Sequence, residues 1–178
     1  MKIIFFGLVL IILKMYNSGI QINTKINFRA YINLYMHLYM HIYLNNGNNI
    51  DIYVDSSGGY VEYGINIMKL FIKFQDYGYN IRCHINKAMS MAAIIMLQCD
   101  EIIIHSESRV MYHFAEDISL GLGNIYDLIK LNKILLEFVH NKNKLPYGIL
   151  NKLFSNETIL KGKEIIEFGF NNVSYISI

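Results

Sequence analysis

Residues 50–63 read Ile50-Asp51-Ile52-Tyr53-Val54-Asp55-Ser56-Ser57-Gly58-Gly59-Tyr60-Val61-Glu62-Tyr63, and three kinds of local structure follow one another there. Ile50 to Val54 is short, apolar-rich and partly β-branched, which predicts a strand. Asp55 to Gly59 is a turn whose paired glycines permit positive φ and the close approach of another backbone or a ligand. From Val61 to Phe74 the residues Ile65, Met68, Leu70, Phe71 and Ile72 recur at helical spacing. Strand, turn and helix in direct succession are the building unit of layered α/β folds.

The same alternation extends in both directions. Upstream, Ile20 to Asn27 alternates as a strand, Phe28 to Leu44 carries a helical stripe (Leu34, Leu38, Ile42), and Asn45 to Asn49 is a turn by composition. Downstream, strands are expected at Asn80–Ile85, Glu101–Ile104 and Val110–His113, with a helix of small and apolar residues over Ala88–Leu97. Asn124 to Asn141 is the clearest amphipathic helix, with Ile125, Leu128, Leu131, Leu135 and Phe138 every three or four residues. Pro146 breaks the pattern, and helices over Tyr147–Phe154 and Lys161–Phe168 precede a last strand, Val173–Ile178. No repeat or linker interrupts the series, so one domain is expected over residues 18–178.

Residues 1–17 differ. Lys2 precedes an apolar run from Ile3 to Leu13, and Lys14 closes it, in the manner of a secretory signal. The run is short of the roughly 20 apolar residues a spanning helix needs. A hydrophobic N-terminal segment is therefore expected, serving as signal, anchor, or a strand or interface segment.

Composition narrows the function classes. An apolar fraction of 53% against 17% charged residues supports a sizeable core. A net charge of +2 without any basic block leaves nucleic-acid binding no electrostatic footprint. Cys83 and Cys99 form no CxxC pair and read as two small buried hydrophobes rather than a disulfide. His37 and His41 are four apart but have neither an HExxH pattern nor a carboxylate partner, so no metal site and no cofactor is expected.

Three stretches can carry chemistry. The paired-glycine turn can present backbone N–H groups to an anion or oxyanion. Lys87-Ala88-Met89-Ser90-Met91-Ala92-Ala93 sets a serine among small residues at a helix start, where spacing alone favours a capping role over a nucleophile. There is no GxSxG, hence no sequence sign of a nucleophile elbow. Arg109-Val110-Met111-Tyr112-His113 ends a strand on an imidazole, where α/β sheets border their ligand crevice.

In this order the three stretches resemble the ClpP family, the proteolytic subunits of Clp proteases. The family runs S-P-G-G, then A-S-M-G-A, then S-R-V-M-I-H. Here stand Ser56-Ser57-Gly58-Gly59, Met89-Ser90-Met91-Ala92-Ala93 and Ser108-Arg109-Val110-Met111-Tyr112-His113. Ile165-Ile166-Glu167-Phe168-Gly169-Phe170 is similar to the family's A-V-E-Y-G-L. The resemblance implies an α/β fold of the ClpP/crotonase kind, a repeated ββα core with a protruding handle helix over 124–141.

It also implies a serine endopeptidase in which Ser90 attacks and His113 is the general base. Gly59 and Met91 would line the oxyanion hole, and Gly58 and Gly59 would bind the substrate main chain. The third triad position falls on Glu157, where the family usually has Asp, with Asn156 one residue away. Ser57 stands in place of the turn's Pro, Ala92 in place of a Gly, and Phe114-Ala115 in place of Gln-Pro. Lys87, three residues before Ser90, reads as a surface residue.

As partners the resemblance implies a polypeptide substrate, a homo- or hetero-oligomeric ring of heptamer type and an ATP-dependent unfoldase. By family the compartment would be the cytoplasm or a plastid. Two other readings stand beside it: a catalytically silent ring subunit, and an acyl-CoA enzyme of the crotonase type.

Overall fold

The computed structural model describes residues 19–44, 46–115, 125–143, 145–167 and 172–176. The expected N-terminal segment, 1–17, lies outside them. Among the described residues no helix is long and apolar enough to cross a membrane.

Four parallel strands form the scaffold: β1 (Ile20–Ile22), β2 (Asn49–Ser56), β3 (Asn80–Met89) and β4 (Glu101–Met111), paired in that order. The far edge of β4 is shared. Its first half pairs in parallel with β6 (Val173–Tyr175), and its second half pairs antiparallel with β5 (Ile159–Lys161). Between β1 and β4 the chain crosses through α1 (Phe28–Tyr43), α2 (Val61–Asp76) and the short α3 (Met91–Met96). Three helices follow: α4 (Ile125–Asn143), α5 (Tyr147–Ser155) and α6 (Lys163–Glu167).

Local chemistry explains the element ends. The Asn27 side chain accepts a hydrogen bond from the Ala30 amide at 3.0 Å and caps α1. Pro146, with φ −56°, stands just ahead of α5. In α2 the buried stripe is Val61, Gly64, Ile67, Leu70, Phe71 and Phe74. Ile72, expected on that face, is 43% exposed. Leu34 and Leu38 of α1 are buried as the spacing predicts.

The strands run longer than expected because bulges hide their continuation. The register shifts between Ile85 and Lys87, after which Lys87 and Ala88 still pair with both neighbours and Met89 with β4. That shift breaks the two-residue alternation that marks a strand in sequence. The expected helix over Ala88–Leu97 therefore shrinks to α3. Likewise the two strands expected at 101–104 and 110–113 are one strand, β4. Across its irregular middle, buried Ser108 accepts from the His105 amide at 2.8 Å and donates to the Ile85 carbonyl. Residues 159–161, partly read as helix, form β5.

Burial alternates along β2 and β3. Ile50, Ile52, Val54, Ile81, Cys83 and Ile85 face the helices, whereas Asp51, Tyr53, Arg82 and His84 face away. Each fully buried Ile or Phe of this core contributes about 1.5–3 kcal/mol. On the open face Asp51 holds both Arg82 and His84, the latter at 2.7 Å. Burial pushes the Asp51 carboxyl up, but these two partners outweigh it and hold it below its ordinary value.

The cysteines correct the sequence reading. Cys83 of β3 and Cys99, just after α3, form a disulfide with Cα atoms 6.0 Å apart. Their separation of 16 residues gave no motif, and only the return of the chain beside β3 brings them together. Closing a loop of that length stabilises a fold by about 3 kcal/mol. Replacing both cysteines with alanine is expected to lower Tm by about 6–12 °C at this chain length. Equal melting of both proteins under non-reducing conditions would contradict the bridge.

Among the described residues no cluster of metal-ligating side chains occurs. The His41 ring bonds the Gly47 carbonyl at 3.1 Å. Both ring nitrogens of His37 are buried, and burial lowers its pKa against the opposing pull of the Asn33 backbone.

Candidate active site

The parallel ladder of β3 and β4 ends at the pair Met89 and Met111. Ser90 comes next and turns the chain into α3 with φ 55° and ψ −125°. A non-glycine residue held there costs on the order of 1–3 kcal/mol and persists only when its surroundings enforce it. They do so from both sides. The Ser90 amide donates to the Met111 carbonyl at 2.8 Å, and the Ser90 carbonyl accepts from the amides of Ala93 and Ile94. The side chain makes no capping hydrogen bond, so the capping role that spacing favoured is not the one observed. A strained strand-to-helix turn that projects a hydroxyl is the geometry of a nucleophile elbow. It arises here without the glycines that usually announce it.

His113 lies two residues beyond Met111, on the strand that receives the Ser90 amide. β4 ends at Met111, so His113 is not its last residue as expected; it lies two residues past it. Flanking aromatic residues anchor it. Tyr112 is fully buried and stacks on Phe154 of α5 at 5.5 Å, and Phe114 packs on the same ring at 5.2 Å. Burial raises the Tyr112 phenol above its ordinary pKa, keeping it protonated. Phe114 thus takes a packing role at the position where the family has Gln. The Nδ1 atom of His113 is buried and has no hydrogen-bond partner among the described residues. A buried unpaired nitrogen costs about 1–3 kcal/mol and calls for an explanation.

Glu157 lies just ahead of β5, the strand that pairs with the end of β4. β5 pairs Lys161, Leu160 and Ile159 with Arg109, Val110 and Met111, and this pairing ends two residues before His113 on one strand and two residues after Glu157 on the other. Glu157 has φ 48° and an exposed side chain, and it makes no hydrogen bond or ion pair among the described residues. Asn156 is the C-cap of α5, its amide bonded to the Lys152 carbonyl. Catalytic contacts are often long in a free enzyme and tighten only around substrate.

The paired-glycine turn closes the other side. Ser56 ends β2 buried, donating to the Thr24 carbonyl at 2.6 Å and accepting from the Gly58 amide at 3.2 Å. Ile26 forms a parallel bridge with Gly59 through the Gly58 carbonyl and the Tyr60 amide, both at 2.8 Å. The Gly59 N–H stays outside that bridge. Met91 opens α3, so its N–H has no carbonyl within the helix. Gly58, with φ 90°, presses on the nucleophile turn: a Cβ there would meet the Met89 carbonyl at 2.6 Å and Ser90 Cβ at 2.7 Å. The structure therefore brings Ser90, Met91 and Gly58 into contact.

Two other features fall away from this point. The Lys87 ammonium pairs with Asp55 at 3.2 Å, as a surface residue would, and does not serve Ser90. A cleft of about 560 Å³ lies on the open face of the sheet and is lined by Tyr53, His84 and Ile103 among others. It includes none of Ser90, His113 and Gly59. Asn132, a polar residue on the apolar stripe of α4 between Leu128 and Leu135, bonds both backbone groups of Ala115, two residues past His113, a contact the sequence does not announce.

Comparison with known proteins agrees with this architecture. The sequence pattern of the Clp protease family matches residues 9–174. No curated protein matches the chain in sequence. Among solved structures, the ClpP protease catalytic domain from Plasmodium falciparum superposes with a TM-score of 0.71 at 20% identity, covering 91% of this chain and 87% of that one. ClpP1 from Listeria monocytogenes gives 0.77 at 17% identity, covering 95% and 96%. At those identities the structures speak for the fold, whereas the sequence pattern, spanning nearly the whole chain and all three chemical stretches, speaks for kinship: this chain belongs to the Clp protease family.

Proposed function

We propose that the chain is a serine endopeptidase subunit of the Clp type. The observation that carries this reading is Ser90, held at a strained strand-to-helix turn with its hydroxyl free of any capping bond and its amide bonded to the strand that leads to His113.

In this reading the Ser90 hydroxyl attacks the substrate carbonyl while His113 takes its proton. The N–H groups of Gly59 and Met91 hold the oxyanion, where each such donor is worth about 3–4 kcal/mol. His113 then protonates the leaving amine, and water hydrolyses the acyl-enzyme by the same route in reverse. The main chain of Gly58 and Gly59 offers the substrate backbone a strand-like partner. Glu157 orients the imidazole through Nδ1, the nitrogen that has no partner among the described residues. A ring of such subunits, with an ATP-dependent unfoldase supplying unfolded polypeptide, follows from the family.

A silent ring subunit is the second reading, favoured by the exposed, uncontacted Glu157. Hydrolysis of a fluorogenic peptide by the assembled protein separates the two. The active reading expects turnover, reduced about 10²-fold or more in Glu157→Ala because the imidazole loses its orientation. Background rates in the wild type would favour the silent subunit. Full activity in Glu157→Ala would remove Glu157 from the mechanism. Membership of the Clp protease family leaves the crotonase-type reading without support.

A further inference from the structure

Nothing in the β4 ladder holds the chain beyond Met111, yet His113 has to be held for general-base chemistry. Ring packing against Phe154 fixes Tyr112 and Phe114 on either side of it. The backbone is fastened one residue later. The Ala115 amide donates to Asn132 Oδ1 at 2.7 Å, and Asn132 Nδ2 donates to the Ala115 carbonyl at 3.0 Å. One side-chain amide thus satisfies both polar groups of one residue, as a neighbouring strand would. The donor on one side and the acceptor on the other fix which end of the amide is which. Among the described residues no other hydrogen bond holds the backbone of 113–115.

We propose that Asn132 is a positioning residue for His113: it clamps the chain two residues past the imidazole onto α4. Asn132 stands on the stripe that α4 buries, between Leu128 and Leu135, where an apolar residue would serve packing better. Its amide instead replaces a missing strand partner. Without the clamp the segment loses its hold on α4, and the imidazole swings away from Ser90. An imidazole displaced by about 1 Å costs about 10²-fold in rate. Asparagine suits the task because its amide is short and planar; aspartate would set a carboxylate oxygen against the Ala115 carbonyl.

The proposal rests on the reading of His113 as the base of Ser90 for its kinetic consequence alone; the clamp has a readout of its own. Asn132→Leu and Asn132→Asp are compared with the wild type in the assembled protein. Carbethoxylation of His113 by diethyl pyrocarbonate, mapped by mass spectrometry, is expected to run about ten-fold faster in both variants: leucine loses both hydrogen bonds, and aspartate loses one and sets a carboxylate against the Ala115 carbonyl. Peptide hydrolysis is expected to lose about 10- to 100-fold in kcat with KM within about two-fold, because only orientation is lost. A merely structural Asn132 would lower Tm and leave both readouts at wild-type values, and that result overturns the proposal. Should the wild type prove inert toward peptides, the peptidase reading fails, while the carbethoxylation rates still decide for or against the clamp. Asn132→Asp guards against a folding defect specific to leucine, since it keeps size and polarity and removes the donor.

Discussion

Ser90→Gly is expected to abolish peptide hydrolysis and to make the protein more stable. The loss of the nucleophile should cost at least about 10³-fold in kcat, leaving what the oxyanion donors and substrate binding supply. The gain follows from the backbone. At φ 55° and ψ −125° a side chain is strained, and glycine removes that strain. Relief of about 1 kcal/mol would raise Tm by about 2–4 °C for a chain of this length. Ser90→Ala, which keeps the Cβ, should lose the same activity without the gain. A serine that only ended a strand would not be held in this way. Measured together, activity and melting temperature distinguish a functional strain from an incidental one. Wild-type turnover in Ser90→Gly would contradict the nucleophile, and a lower Tm would contradict the strain.

Gly58→Ala is expected to damage both the fold and the site. Its Cβ would stand 2.6 Å from the Met89 carbonyl and 2.7 Å from Ser90 Cβ, and both neighbours belong to the nucleophile turn. Backbone there cannot yield without moving Ser90. The positive φ of 90° adds strain of its own. A cost of about 2–4 kcal/mol is expected, with a loss of about 10²-fold or more in kcat as the hydroxyl shifts. Gly78 is the control: its φ is +85°, but nothing lies within 4 Å of an added Cβ. Gly78→Ala should cost only about 1 kcal/mol of backbone strain and leave the rate alone. Comparable effects from the two substitutions would mean that the Gly58 contact with Ser90 has no role.

The fold was legible because its two periodicities are strong where packing is regular. Leu34 and Leu38 in α1, and Ile50, Ile52 and Val54 in β2, fall on the faces their spacing assigns. It was illegible where the backbone departs from regularity. The register shift at Ile85 and the Ser108 bonds inside β4 interrupt alternation without ending the strand. The disulfide depends on two residues meeting through tertiary structure, which no spacing encodes.

For the site, the three chemical stretches were visible as motifs, and the structure adds what motifs lack. The strain at Ser90 is a property of dihedral angles imposed by the Met111 carbonyl and by α3. Glu157 comes near the end of β4 in the fold only through the antiparallel pairing of β5, whose first residue, Ile159, lies 48 residues beyond Met111, and no local pattern encodes that pairing. Asn132 carried a weak signal, one polar residue on a buried stripe, whose meaning required knowing that Ala115 lies beside it.

The central claim is that Ser90 is an activated nucleophile served by His113, and covalent labelling tests it most directly. The assembled protein is treated with a fluorophosphonate probe, and the modified peptide is identified by mass spectrometry. The account predicts a single adduct on Ser90, lost in Ser90→Ala and strongly slowed in His113→Ala. No adduct under conditions that label an active Clp peptidase, or labelling of Ser90 at the same rate without His113, would contradict it.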